Sequence, residues 1–267
     1  MSSQLNFKEE TAISIKIMLD AGHYANYNQS PVVPEYWESR KMWVLCEFLA
    51  KELEKYGFEV LKTRTDVETD LPVYQRGKMA SGCDLFISLH SNACDSEKVD
   101  RVDVYGAYDN LNNSHDLAKK LATAVASLME VSGGYVKTRK SDDGEDEYYG
   151  VLRGARRVGC PLFYIIEHSF HTNERSTRWL LQDKNLLCLA KLEAAIIAEY
   201  YGLKPIFEMG DVNMNGGIDS MDVALIKRAY FGTYDLTEEQ KSLADMNKNG
   251  EIDSMDYIIA KRKYFNS

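Results

Sequence analysis

The chain has 267 residues, 45% of them hydrophobic, enough for one large and one small domain and too apolar for a disordered chain. Its formal net charge of −9 argues against nucleic acid and anionic membranes as main partners, because both attract Lys and Arg. No apolar run is long enough to cross a bilayer, and five cysteines without a CxxC pair give no disulfide framework.

The opening MSSQLNFKEETA lacks signal-peptide character, so the protein is either cytoplasmic or has lost a leader. IKIMLD then reads as a first strand. A helical stripe of Trp43, Cys46, Leu49, Ala50 and Leu53 runs through residues 38–56 and is closed by Gly57. FEVLKT is a second strand, and a short helix around 72–81 leads into the strand DLFISLH. VDVYGAY, a helix around 114–130, the strand LFYIIEH and a helix around 184–201 complete the series. This βαβ rhythm predicts an α/β fold, a mostly parallel sheet with helices on both faces. Cys46 and Cys188 fall in apolar helical patterns and Cys83 and Cys160 adjoin strands, so most of the cysteines read as small buried hydrophobes. The acidic run SDDGEDEYYG at 141–150 reads as a solvated loop, with contact to a substrate as the alternative.

At YYGLKPIFEMG the rhythm stops, and Gly202 and Pro205 mark a linker. This divides the chain into domains 1–205 and 206–267. The second holds an internal repeat with a period of 34 residues, DVNMNGGIDSMDVALIKRAYF and DMNKNGEIDSMDYIIAKRKYF. Oxygen-bearing side chains recur at loop positions one, three, five, nine and twelve. They are Asp211, Asn213, Asn215, Asp219 and Asp222, then Asp245, Asn247, Asn249, Asp253 and Asp256. Gly216 and Gly250 sit at the sharp turn, and the carbonyls of Gly217 and Glu251 fall at position seven. A hard cation needs six to eight oxygens, and this spacing wraps one short loop around Ca²⁺. Ile218 and Ile252 would pin each loop to the core.

The loop is similar to an EF-hand loop, but its twelfth residue is Asp and only the helix after each loop is obvious. In duplicate, over about residues 209–267, it resembles a type I dockerin, the module that plugs enzymes into cellulosomal scaffoldins. The resemblance implies a small all-α domain with two Ca²⁺ ions and a cohesin module as partner. The cohesin-facing positions would be Ser220, Met221, Lys227 and Arg228, with Ser254, Met255, Lys261 and Arg262 as repeat mates. On spacing alone the Lys-Arg pairs read as a solvated helix face. Both copies are complete, so the resemblance implies that either can face a cohesin.

In the first domain His23 follows the strand IKIMLD and His90 ends the strand DLFISLH. Ligand sites of open parallel sheets lie at the carboxyl ends of strands, so the two can converge although 67 residues separate them. Glu38 opens a helix after a long loop, where its carboxylate can point back to the first strand; as an alternative it is an acid favoured by the helix dipole. Two imidazoles and one carboxylate make a zinc site with a fourth position left for water. A carboxylate must then move the proton, and Glu167, after five apolar residues in LFYIIE, is the candidate.

These blocks resemble the zinc-dependent N-acetylmuramoyl-L-alanine amidases of type 3. The family pattern of LDxGH, a helix-opening acid, L-x-R, a further R, S-x-H-x-N and E-x-x-F-x-x-N reads here as LDAGH, Glu38, LKTR ending at Arg64, Arg76, SLHSN and EHSFHTN, over about residues 13–201. The resemblance implies one zinc held by His23, Glu38 and His90, Glu167 as catalytic acid/base, Asn92 beside the third ligand, peptidoglycan as substrate and secretion as the destination. Glu35 is a rival for Glu38, but the nineteen residues from Glu38 to Gly57 fit the family better.

The chain departs from the pattern at Ala21, Tyr24 and Ala25 around the first His, and at His168 and His171, where the family carries small or apolar residues. Either histidine would contact substrate, steady an oxyanion, or be a loop residue without a role. His115 reads as a helix-start residue. The short loop after His90 has no room for an inserted inhibitory helix. Two other readings stand beside this one: a zinc amidase or peptidase for a different amide, and a non-catalytic cell-wall-binding module.

Overall fold

The computed structural model describes residues 14–266, so the expectation about the first residues lies outside it. The chain divides into two compact units, the first ending at Lys204 and the second starting at Pro205.

In the first unit six strands form one sheet: β1 (Lys16–Ala21), β2 (Glu59–Lys62), β3 (Leu85–Asn92), β4 (Val102–Tyr105), β5 (Gly134–Lys137) and β6 (Leu162–Phe170). Their order is β2-β1-β3-β6-β4-β5. The first four in that order are parallel, while β4 runs antiparallel to β6 and parallel to β5. The sheet is thus mostly parallel, and its parallel carboxyl ends bring together the tips of β1, β3 and β6.

Alternation along the strands sorts the side chains to two faces. Ile17, Leu19, Leu85, Ile87, Leu89, Tyr164 and Ile166 join the core under α1 (Glu38–Glu54), α3 (Ser114–Met129) and α6 (Asp183–Tyr200). Met18, Phe86, Phe163 and Ile165 pack on the other face under α4 (Gly150–Arg157). Helix α1 buries Met42, Leu45, Leu49 and Leu53 completely, a stripe at helical spacing. Each such side chain contributes about 1.5–3 kcal/mol relative to exposure.

The helix α2 (Val73–Lys78) crosses α4 at a pair of glycines. A Cβ on Gly77 would meet the Val151 carbonyl oxygen at 1.9 Å, and one on Gly154 would meet the Tyr74 oxygen at 2.3 Å. Only residues without side chains allow this approach. The strand β5, the helix α4 and the helix α5 (Glu174–Leu180) were not among the expected elements. Cys46, Cys83 and Cys160 are buried, as expected, but Cys188 is exposed.

The acidic run also departs from a purely solvated loop. Asp142, Asp143 and Glu145 are exposed, but Glu147 is buried and its carboxylate accepts from the Tyr108 N–H and from Arg156, both at 3.2 Å. Burial outweighs both partners and pushes the Glu147 carboxyl up to about 7. A value raised above that of the unfolded chain means stability complete below the ordinary 4.5 and lost as pH rises through 7. The urea midpoint should therefore fall more between about pH 5 and about pH 8 in the native chain than in Glu147→Gln, which has no proton to lose.

The second unit is helical, with α7 (Ser220–Tyr230), α8 (Glu238–Ala244) and α9 (Ser254–Asn266). Its core includes Val212, Leu225, Ile226, Leu236, Leu243, Ala244 and Ala260. The sequence signals only α7 and α9. The third helix, α8, precedes the second loop and is capped by Thr237 and Gln240, each side chain bonding the other's backbone N–H.

Candidate metal centre

His23, Glu38 and His90 converge. One ligand atom from each lies within 4.8 Å of the others. His90 Nδ1 is 2.9 Å from Glu38 Oε1, and His23 Nε2 is 3.4 Å from Glu38 Oε2. Glu38 is buried, while His23 and His90 retain partial exposure. Burial alone would raise the Glu38 carboxyl, but the two imidazoles more than offset it and hold it well below the usual carboxylate range. Two nitrogens and one carboxylate oxygen at this separation suit a zinc ion with one position left for water. The rival Glu35 is exposed and lines a separate cavity with Trp37, Trp43 and Arg40.

The local backbone explains how the three groups meet. Glu38 is the first residue of α1, and the Ser91 N–H donates to its Oε1 at 3.0 Å. His23 has a positive φ of 59°, which swings its ring back over the β1 tip, and the Tyr27 ring stacks on it at 4.7 Å. Gly22 leaves the space that His90 occupies: a Cβ there would lie 2.4 Å from the imidazole. Gly22→Ala should displace His90 and weaken zinc binding about 10-fold or more, read by competition with a chromophoric chelator, with a smaller effect on the thermal midpoint.

Glu167 stands beside the cluster on the adjacent strand, in register with His90. Its Oε2 is buried without a hydrogen-bond partner among the described residues. Such an atom is costly unless it serves something that binds there. Burial, then the charges of Glu38 and of Asp103 (its opposite on β4), push the Glu167 carboxyl well above the ordinary range. Asn92 ends β3, with its side chain turned to the Ala93 N–H at 2.8 Å.

Asn28 and the partners of Asp20 escaped the sequence reading. The Asn28 amide reaches both His23 Nε2, at 3.0 Å, and Glu38 Oε2, at 2.7 Å. Asp20, fully buried under the β1 tip, accepts from Thr63 Oγ1, Ser88 Oγ and Arg76 Nη1 at 2.7, 2.6 and 3.2 Å. The Arg64 guanidinium donates to the Ala21 and Asp66 carbonyls. The Asp of LDAGH and both spaced arginines therefore form the floor of the site. His168 and His171, with 0% and 4% exposure, lie inside the fold, and His171 Nδ1 is 3.9 Å from Glu38 Oε2. His115 opens α3 and bonds the Ala107 carbonyl, a structural role. No helix lies between β3 and β4 among the described residues.

In the second unit both repeats adopt one loop conformation. Asp211 accepts from the N–H groups of Asn215 and Gly216, and Asp245 from those of Asn249 and Gly250. Asp222 accepts from the N–H groups of Asn213 and Asp219, and Asp256 from those of Asn247 and Asp253. Residues four and six of each loop, Met214 with Gly216 and Lys248 with Gly250, have positive φ. Asp219 caps α7. Ile218 and Ile252 are both half-buried; Ile252 packs on the small core, and Ile218 reaches toward Gly210. Ser220, Met221, Lys227, Arg228, Ser254, Met255, Lys261 and Arg262 are all exposed. The second copy differs at Tyr257, whose ring lies under both Lys227 and Lys261, at 5.9 and 5.8 Å; the first carries Val223 there.

The fold and cluster together define an α/β chain with a candidate metal centre at the carboxyl edge of its sheet. A family model for N-acetylmuramoyl-L-alanine amidase matches residues 17–199, and one for the dockerin type I domain matches residues 209–264. The chain belongs to the N-acetylmuramoyl-L-alanine amidase family and carries a type I dockerin domain. No curated protein matches it. Similar solved structures include an N-acetylmuramoyl-L-alanine amidase from Clostridium difficile 630, with 20% identity, 72% of this chain and 98% of that one covered, and a TM-score of 0.62. The catalytic domain of CwlV, an N-acetylmuramoyl-L-alanine amidase from Bacillus (Paenibacillus) polymyxa var. colistinus, is 20% identical over 71% of this chain and 99% of its own, with a TM-score of 0.60. Cwp6 from Clostridium difficile is 19% identical with a TM-score of 0.59; the match covers 70% of this chain but only 29% of Cwp6. At these identities the likeness establishes the fold.

Proposed function

We propose that the chain is a secreted zinc hydrolase of peptidoglycan that cuts the amide between N-acetylmuramic acid and L-alanine and is tethered to a cellulosomal scaffoldin. Residues 1–205 would form the catalytic domain and 206–267 the docking domain. The observation that carries the reading is the convergence of His23, Glu38 and His90 within 4.8 Å, beside a buried carboxylate oxygen of Glu167 that lacks a partner.

In this reading His23, Glu38 and His90 hold one zinc. When bound, zinc supplies a Lewis acid that polarises the scissile carbonyl and makes water a better nucleophile. Glu167 takes a proton from the attacking water as its oxygen joins the carbonyl carbon. The carbon–nitrogen bond then breaks, and Glu167 returns the proton to the departing nitrogen of L-alanine. Products are a lactyl carboxylate and a free amine.

Digestion of purified peptidoglycan should release new amino groups on L-alanine without new reducing sugar ends, stop on chelation and return with zinc. Cleavage of another peptide with no new L-alanine amines would favour an amidase or peptidase for a different bond. Binding without cleavage would favour a cell-wall-binding module.

In the docking domain we assign one Ca²⁺ to Asp211, Asn213, Asn215, Gly217, Asp219 and Asp222, and another to Asp245, Asn247, Asn249, Glu251, Asp253 and Asp256. The loop conformation common to both repeats supports this, since the same N–H groups order the first Asp of each loop. A cohesin would meet the exposed Ser220, Met221, Lys227 and Arg228, or Ser254, Met255, Lys261 and Arg262. Removing calcium with a calcium-selective chelator should abolish cohesin binding and reduce the helical signal of the isolated tail by circular dichroism, because uncompensated loop carboxylates repel one another.

A further inference from the structure

The β3–β6 ladder is irregular at the centre. His90 pairs with Glu167, but Asn92 pairs with Phe170, so His168 and Ser169 together face Ser91. This is a bulge of one extra residue, and Ser169 accommodates it at a φ of 63°. A bulge interrupts the ladder hydrogen bonds, here at the peptide groups that carry the third predicted ligand.

Those carbonyls find partners in two histidines. His168 Nδ1 lies 2.9 Å from the His90 oxygen, and His171 Nδ1 lies 2.8 Å from the Ser91 oxygen. A carbonyl only accepts, so both Nδ1 atoms carry hydrogen and donate. The His171 backbone N–H donates to the Asn92 oxygen at 2.7 Å. Three successive carbonyls of the β3 tip are thus held from β6 and the residue after it.

Each imidazole is itself anchored. His168 Nε2 meets Glu193 Oε1 at 2.7 Å, with both residues at 0% exposure among the apolar side chains of α6. The His171 ring packs beside the Tyr36 ring, whose hydroxyl bonds Ser91 Oγ at 2.7 Å. A buried polar contact of this kind is weak evidence for stability, because an apolar pair of similar size is often as stable or more so. Its position against the tip gives it another use. The same peptide unit carries His90 and presents the Ser91 N–H to Glu38.

We infer that His168 and His171 are positioning residues that replace ladder bonds lost at the bulge and thereby fix His90 and Glu38 in the geometry that receives zinc. The inference rests on the zinc reading above.

The test separates positioning from plain stability. His168→Leu with Glu193→Leu removes both buried polar groups at once, and Asn in place of His168 beside Glu193→Leu restores an N–H near the Nδ1 position. His171→Leu and His171→Asn form the second pair. The Leu variants should keep the thermal midpoint of the metal-free chain near that of the parent, bind zinc about 10- to 100-fold more weakly, and exchange the Ser91 and Asn92 amide hydrogens about 10-fold faster without metal. The Asn variants should recover most of both losses. Unchanged exchange in the Leu variants, or Asn variants as weak as Leu, would overturn the inference. If the parent chain takes up no zinc, the zinc reading falls, and exchange in the metal-free chain still decides whether the histidines hold the tip.

Discussion

Glu167→Gln should lower turnover of peptidoglycan by about 100- to 10,000-fold while the chain keeps its zinc. Gln matches Glu in size and leaves the β6 backbone undisturbed. It also cannot ionise in a place where burial and the charges of Glu38 and Asp103 disfavour a carboxylate, so the folded chain should be no less stable. What Gln lacks is the ability to take a proton from water and return it to nitrogen. Kinetics on purified sacculi, paired with zinc analysis of the same preparation, reads both halves. Full activity in this variant would remove Glu167 from the mechanism. Lost activity together with lost zinc would make it part of the metal site.

His90→Ala should have the larger effect, losing zinc and activity together. The variant removes one of three predicted ligands and the ring packed edge-on to His23 at 4.9 Å. It also takes away the nitrogen that faces Glu38 Oε1, leaving a buried carboxylate with fewer compensating groups. Zinc affinity should drop by more than about 100-fold, beyond what loss of an outer partner costs. Retained zinc with retained cleavage would mean that the hydrolytic centre lies elsewhere in the chain.

The three candidate ligands were legible because each sits at a position with its own sequence signature. His23 and His90 end apolar strand runs, and Glu38 opens an amphipathic helix at a fixed distance from Gly57. What surrounds them was hidden for a physical reason. Asp20 draws its partners from Thr63, Arg76 and Ser88, three separate stretches that meet only once the sheet forms. Asn28 lies in a loop without periodicity. His168 and His171 stood out by type, but their role depends on a one-residue mismatch between β3 and β6, which no periodic pattern encodes.

The same contrast holds for the fold. Long elements with a clear stripe, such as α1 and α6, were readable. The four-residue β5 is too short to show alternation, and α4 carries Gly154 in its interior because α2 approaches there. Glu147 was disguised by its acidic neighbours, of which it alone is fully buried. In the tail, a repeated spacing of oxygens revealed both loops, whereas α8 has only its capping box as a signal.

The dry ion pair between Asp20 and Arg76 has a kinetic corollary. Either charge shut away from water without the other costs about 3–5 kcal/mol, which disfavours a half-docked α2 over the sheet. The base beneath the β1 tip is thus complete only when β1, β3, the residue after β2 and that helix are all in place.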